Sequence, residues 1–224
     1  MNNARAIMSW SGGKDSCLAL HRAISQGCRV KYLLNFVSDE TSRMLFHDLE
    51  NRLIQLQAES IGIPLYQRAV PSTMAGYKET FKAAVASIGD VREMVFGDIY
   101  LEEHKEWIER VCDELGIRAV EPLWGEAPVD LMREFVRAGF KAIIVSCRAD
   151  IFDPDFVGRM MDEVLIDELG ERGICPCGEN GEFHTFVIDG PLFKRRIRVD
   201  EASPVLRHGV WSYWFLDIKK TSII

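Results

Sequence analysis

Six residues, Ser11-Gly12-Gly13-Lys14-Asp15-Ser16, stand between an apolar run, Ala6-Ile7-Met8-Ser9-Trp10, and a stretch whose apolar residues recur at helical spacing. Their types suit a phosphate. Adjacent glycines let the backbone close on an anion and turn N–H groups toward it. A helix starting directly after them adds unpaired N–H donors and the positive end of its dipole. Ser11 and Ser16 bring hydroxyls, and Lys14 brings a mobile positive charge. The order of letters is neither G-x-x-x-x-G-K-[ST] nor G-x-G-x-x-G, which disfavours a kinase-type P-loop and a nicotinamide or flavin site. A tight structural turn is the plain alternative.

Other residues could share a site with this loop. Gly97-Asp98 follows the apolar run Glu93-Met94-Val95-Phe96, and a carboxylate there suits Mg²⁺ or a nucleotide; capping the next helix is an equal reading. His47 and His104 follow other runs that reach the same sheet edge, although a lone histidine is more often a surface or capping residue. Asp15 suits either a metal contact or a helix start. Late in the chain, Glu179-Asn180-Gly181-Glu182 contains Asn-Gly, a strong two-residue hairpin signal. Such a hairpin sets Glu179 opposite Glu182, which calls for a cation or ammonium between them; two carboxylates turned into water are the alternative. Cys175-Pro176-Cys177 lacks the second pair that a zinc site needs.

The elements that must position these residues alternate. Strand patterns at 6–10, 32–37, 65–69, 93–96 and 142–145 are interleaved with helical patterns. One helix is expected over 15–26, ending at Gly27; one carries Leu49, Leu53 and Leu56; one carries Trp107, Ile108, Val111 and Leu115; one carries Leu131 and Phe135. Such alternation implies crossover connections, hence an α/β fold with a Rossmann-like parallel sheet covered on both faces. A further helix is expected to carry Phe156, Met160, Val164 and Leu169, and β patterns follow at 184–188, 193–199 and 211–218. The expected organisation is a nucleotide-binding domain over 1–121 and a smaller C-terminal α+β region over 122–224.

The chain has 224 residues, 47% of them hydrophobic, and a net charge of −7, which weighs against a nucleic-acid surface. The basic run Lys194-Arg195-Arg196-Ile197-Arg198 reads as a solvated strand face or a binding patch. No internal repeat or low-complexity tract occurs. No apolar run is long enough to cross a bilayer, and six cysteines without a secretory context imply no disulfide framework, so a cytoplasmic location is expected.

Ser11-Gly12-Gly13-Lys14-Asp15-Ser16 resembles the PP-loop, S-G-G-x-D-S, of the N-type ATP pyrophosphatases, which include GMP, NAD and asparagine synthetases and several tRNA-modifying enzymes. From Ile7 to Phe193 the motifs Gly97-Asp98-Ile99, Pro122-Leu123-Trp124, Cys177 to Thr185 and Gly190-Pro191-Leu192-Phe193 look like those of the diphthine–ammonia ligase family. The resemblance implies a carbon–nitrogen ligase that adenylates a carboxylate with ATP and Mg²⁺, releases pyrophosphate and transfers ammonia. It implies ATP binding by Ser9, Ser11, Gly12, Gly13, Lys14, Asp15, Ser16, Gly97 and Asp98, with Asp98 also on the metal. With the residues read above, it points to catalytic roles for Lys14, Asp98, Glu179, Glu182 and, at the position that departs from the family pattern, His184, and to substrate contacts from Glu179, Asn180, Gly181, Glu182 and Thr185, with His47 and His104 added from their sheet edge. The implied partners are a small or protein-borne carboxylate and ammonia, with a homodimer compatible. His184 stands where the family pattern E-G-G-E-Y-E-T has a carboxylate, which leaves a corrinoid acid beside diphthine as substrate class. The alternatives are a nucleotide sensor without turnover and a PP-loop nucleotide- or tRNA-modifying enzyme.

Overall fold

The computed structural model describes residues 5–39, 50–71, 73–209 and 211–224. His47 and Leu49 lie outside them. The chain divides into two compact units, one running to Ser11 and resuming over Asp15–Gly125, the other joining Gly12–Lys14 to Glu126–Ile224. The division falls shortly after Pro122 and gives the middle of the glycine loop to the second unit.

In the first unit, strands β1 (Arg5–Ser9), β2 (Arg29–Ser38), β3 (Leu65–Val70), β4 (Glu93–Val95) and β5 (Arg118–Val120) form a parallel sheet in the order β3-β2-β1-β4-β5. Helices α1 (Lys14–Ser25), α2 (Asn51–Ile61), α3 (Met74–Ile88) and α4 (Glu102–Leu115) are the crossovers. The sequence reading names no element at α3, although Tyr77, Phe81, Val85 and Ile88 repeat at helical spacing. Right-handed crossovers put α1 and α2 on one face and α3 and α4 on the other. On the α3–α4 face, Ile7, Leu34, Phe36 and Met94 of the sheet pack with Phe81, Val85, Ile108 and Val111. Phe81 sits at the centre, its ring 5.6 Å from Phe36 and 5.2 Å, edge-on, from Trp107.

This strand order places the site. From β1 the chain winds outward to β2 and β3, then crosses back to β4 on the other side of β1. The reversal opens a crevice at the carboxyl ends of β1 and β4, where sheets of this kind take their ligands. The glycine loop leaves β1 there, and Gly97-Asp98 follows β4.

In the second unit, β6 (Lys141–Arg148), β7 (Phe183–Asp189), β8 (Ile197–Arg207) and β9 (Tyr213–Ile223) form an antiparallel sheet in the order β7-β6-β9-β8, accompanied by α5 (Pro128–Arg137) and α6 (Glu163–Glu171). Leu131 and Phe135 of α5, Phe140, and Leu165, Ile166 and Leu169 of α6 are buried. The single helix expected from Phe156 to Leu169 is corrected: a 3₁₀ turn covers Pro154–Phe156 and α6 starts only at Glu163. Between them the backbone runs beside β6, with Ile144 N donating to Arg159 O at 2.9 Å and Met161 N to Ala142 O at 2.9 Å. Open strand hydrogen bonds of β6 capture the segment, and the Asp162 carboxylate caps α6 by accepting from Leu165 N at 2.8 Å. The Asn180-Gly181 hairpin is corrected too, because Cys175–Gly178 forms a turn rather than a strand, and β7 pairs with β6. The basic run is a solvated strand edge: Lys194, Arg195 and Arg196 are exposed, and Arg198 pairs with Asp200 at 2.5 Å.

Truncating Phe81 leaves a hole that three aromatic neighbours cannot fill. Phe81→Ala should cost about 3–5 kcal/mol, read as a lower urea midpoint at an unchanged slope. A loss below about 1 kcal/mol would mean that the α3–α4 face does not hold the sheet.

Candidate functional site

The carboxyl end of β1 is fixed before the loop begins. Trp10 N donates to Leu34 O at 2.8 Å, its indole Nε1 to Gln57 Oε1 at 3.1 Å, and Asn35 Nδ2 to Trp10 O at 2.8 Å. Gly12 then takes φ +74°, a left-handed turn in which a side chain is strained. Ser11 Oγ donates to Ser16 Oγ at 3.1 Å, bringing the loop's two hydroxyls together over the first turn of α1. Gly97 supports that turn from β4. A Cβ at Gly97 would lie 3.0 Å from both Asp15 C and Ser16 N, so backbone meets backbone. The paired hydroxyls, the left-handed glycine and the start of a twelve-residue helix fit a polyphosphate.

Within the second unit, Gly12–Lys14 packs on the late motif. Val187 N donates to Gly12 O at 3.0 Å, and Lys14 N donates to Thr185 Oγ1 at 3.0 Å. The Lys14 ammonium, 3% exposed, donates to Cys177 O and lies 5.4 Å from the centre of the Phe183 ring. His184 keeps a little solvent contact but is densely surrounded; burial first, then the Lys14 charge, pushes its imidazole down to about 4. At neutral pH it is an uncharged ring. Glu182, 8% exposed, folds back to accept from Asn180 N at 3.0 Å and Asn180 Nδ2 at 3.1 Å, while Tyr213 Oη donates to Gly181 O at 2.9 Å. The motif is therefore a compact turn ending in a strand, with Glu182 turned onto Asn180.

In the first unit, Asp98 is the centre of an acidic corner. Its Oδ1 lies 3.0 Å from His104 Nδ1 in the first turn of α4. Burial first, then the Asp98 charge, raises the Glu121 carboxyl, and the same two causes push the Tyr77 phenol up to about 12. Lys105 lies 4.5 Å from the centre of the Trp124 ring nearby. Among the described residues no group of three or more His, Cys, Asp or Glu is arranged to hold a metal ion. A nucleotide's Mg²⁺ needs only one or two carboxylates besides phosphate and water, and Asp98 fits that smaller demand. Three of the thiols are poorly suited to ionise. Burial, then Asp15, raises the Cys17 thiol well above its ordinary value, and burial, then an acidic neighbour, pushes Cys112 and Cys147 to about 12.

The expected site residues thus fall into three groups. Ser9 ends β1, and Ser11, Asp15, Ser16 and Gly97 lie at the start of α1; Asp98 and His104 touch each other; Gly12, Gly13 and Lys14 join Glu179, Asn180, Gly181, Glu182, His184 and Thr185 in the second unit. Sequence reasoning missed Glu121, Tyr77, Phe183 and Val187. Glu121 had a signal, since it ends the segment after β5 at the same sheet edge as Asp98. The Cys177 carbonyl had none, because every residue owns one.

Family models place two domains along the chain. That of the diphthamide synthase N-terminal domain matches residues 4–119, and that of the diphthamide synthase C-terminal domain matches 127–224. The diphthine–ammonia ligase of Mus musculus is 31% identical over 224 residues, covering 88% of this chain and 83% of that protein. That of Homo sapiens is 29% identical over 221 residues, with the same two coverages of 88% and 83%. That of Schizosaccharomyces pombe is 27% identical, covering 93% of this chain but 38% of the longer relative.

His184 makes the fold pH-sensitive. The ring titrates near 6.5 when unfolded and near 4 when folded, so between those values the unfolded chain holds the extra proton. Stability should fall as pH drops from 6.5 toward 4, by at most about 3 kcal/mol, less what the remaining solvent contact screens. Urea unfolding of wild type and His184→Gln across that range checks this. Parallel curves for the two proteins would remove His184 as the source.

Proposed function

Because the chain belongs to the diphthamide synthase family, we propose that it is an ATP-dependent amide-forming ligase, acting on the carboxylate of diphthine with ammonia. A carboxylate oxygen attacks the α-phosphorus of ATP and pyrophosphate leaves. Ammonia then attacks the acyl carbon of the adenylate, AMP leaves with the C–O bond electrons, and the nitrogen sheds a proton. The observation that carries this reading is the loop at the carboxyl end of β1, with Gly12 left-handed, Ser11 and Ser16 paired, and Lys14 anchored.

Each step asks something different of the side chains. Pyrophosphate gathers charge as it leaves; the first turn of α1 and the two serine hydroxyls supply donors already in place, and the Lys14 ammonium, held by Cys177 O, would turn from that carbonyl to add its charge. Asp98, oriented by His104, would hold the Mg²⁺ that accompanies the nucleotide and offsets phosphate charge. Glu179, Glu182, His184 and Asn180 are assigned to the acyl acceptor and ammonia. A neutral His184 suits that task, because an uncharged ring does not repel an ammonium about to lose its proton. Nothing observed favours a corrinoid acid over diphthine. No helix among the described residues is long and apolar enough to cross a membrane.

The test is pyrophosphate release with ATP, Mg²⁺ and ammonium, using diphthine on its carrier protein and, separately, corrinoid acids. Release is expected with diphthine, and Lys14→Ala should lower it by about a hundredfold or more. Release only with a corrinoid acid would change the substrate. Tight ATP binding without release for any acid would turn the reading to a nucleotide sensor.

A further inference from the structure

The loop has a structural difficulty that the late motif resolves. A helix beginning at Lys14 leaves its first N–H groups without intrahelical partners, and a side chain just ahead of the helix commonly caps them. Here the preceding residues are Gly12 and Gly13, which allow close approach to a phosphate but carry no capping group. The missing acceptor comes from far along the chain. Thr185 Oγ1, in a residue 1% exposed, accepts from Lys14 N at 3.0 Å. Two residues on, Val187 N donates to Gly12 O at 3.0 Å, so β7 grips the loop at alternate residues. The ammonium of the same lysine is held by Cys177 O and the Phe183 ring. That grip depends on close packing inside the motif, since a Cβ at Gly178, where φ is +65°, would come 2.7 Å from Phe183 O.

We infer that Thr185 is a positioning residue for the ATP loop: it caps the Lys14 amide from another part of the chain and acts on ATP through the loop. The inference rests on the ligase reading for its effect on ATP, though not for its effect on the loop. Donors held in place before the nucleotide arrives do not have to be ordered at its expense. Thr185→Val keeps the side chain's shape and removes the acceptor, leaving a buried N–H without its partner. The larger consequence falls on ATP, because the bond is made to the loop.

Two measurements on the full chain test it. Amide hydrogen exchange over 10–18 should be faster in Thr185→Val than in wild type, whatever the protein's activity. Equilibrium binding of ATP should weaken about tenfold in that variant, while the KM for ammonium stays unchanged, and Thr185→Ser should recover most of the affinity. Should Thr185→Val fail to fold, Thr185→Ala should give the same split. Wild-type ATP affinity in the Val variant, or a rise confined to the KM for ammonium or for diphthine on its carrier protein, overturns the inference. Wild-type protein that does not bind ATP overturns the ligase reading, and the exchange arm then decides by itself whether Thr185 holds the loop.

Discussion

A lysine ammonium taken out of water must be given partners, and much of this molecule follows from meeting that demand at Lys14. At 3% exposure the charge has almost no solvent to rely on. The Cys177 carbonyl brings a dipole and the Phe183 ring the negative face of its quadrupole. Both must be delivered together, which requires the Cys175–Gly178 turn to press against the start of β7. The antiparallel pairing of β7 with β6 keeps that strand in place. A residue of the loop after β1 thereby sets the geometry of a motif far along the chain.

Electrostatics then divide the chemistry. In the second unit burial first, and then the neighbouring Lys14 charge, pushes the His184 ring down to about 4 and keeps it neutral. In the first unit, burial and then the Asp98 charge raise the Glu121 carboxyl and push the Tyr77 phenol up to about 12. The loop after β1 carries Lys14 and the turn after β4 carries Asp98.

The parallel sheet is the frame for both. Its order, β3-β2-β1-β4-β5, makes the loop after β1 and the Gly97-Asp98 turn after β4 neighbours without either being long. Gly97 shows how tight the fit is, because its missing Cβ is the space that the α1 backbone uses. Trp10, Asn35 and Gln57 brace the end of β1 from the other direction. Rigid strand ends therefore fix where the serines lie, and the loop's flexible glycines are needed only at the turn itself.

By itself the sequence determined what local rules control. Alternating apolar runs and helical repeats pointed to a parallel α/β sheet followed by an α+β region, and strand, glycine pair and helix in register marked the tight turn between β1 and α1. The same local rules failed where a distant partner was stronger. Met160 fits a helical repeat, but open hydrogen bonds on β6 hold its backbone extended. Asn180-Gly181 fits a hairpin, but no strand precedes it, and Glu182 turns onto Asn180. Only the tertiary structure decided that Thr185 caps Lys14 and that a carbonyl of Cys177 receives its ammonium. Main-chain acceptors carry no letter of their own, and two residues 171 positions apart meet only once the sheet has formed.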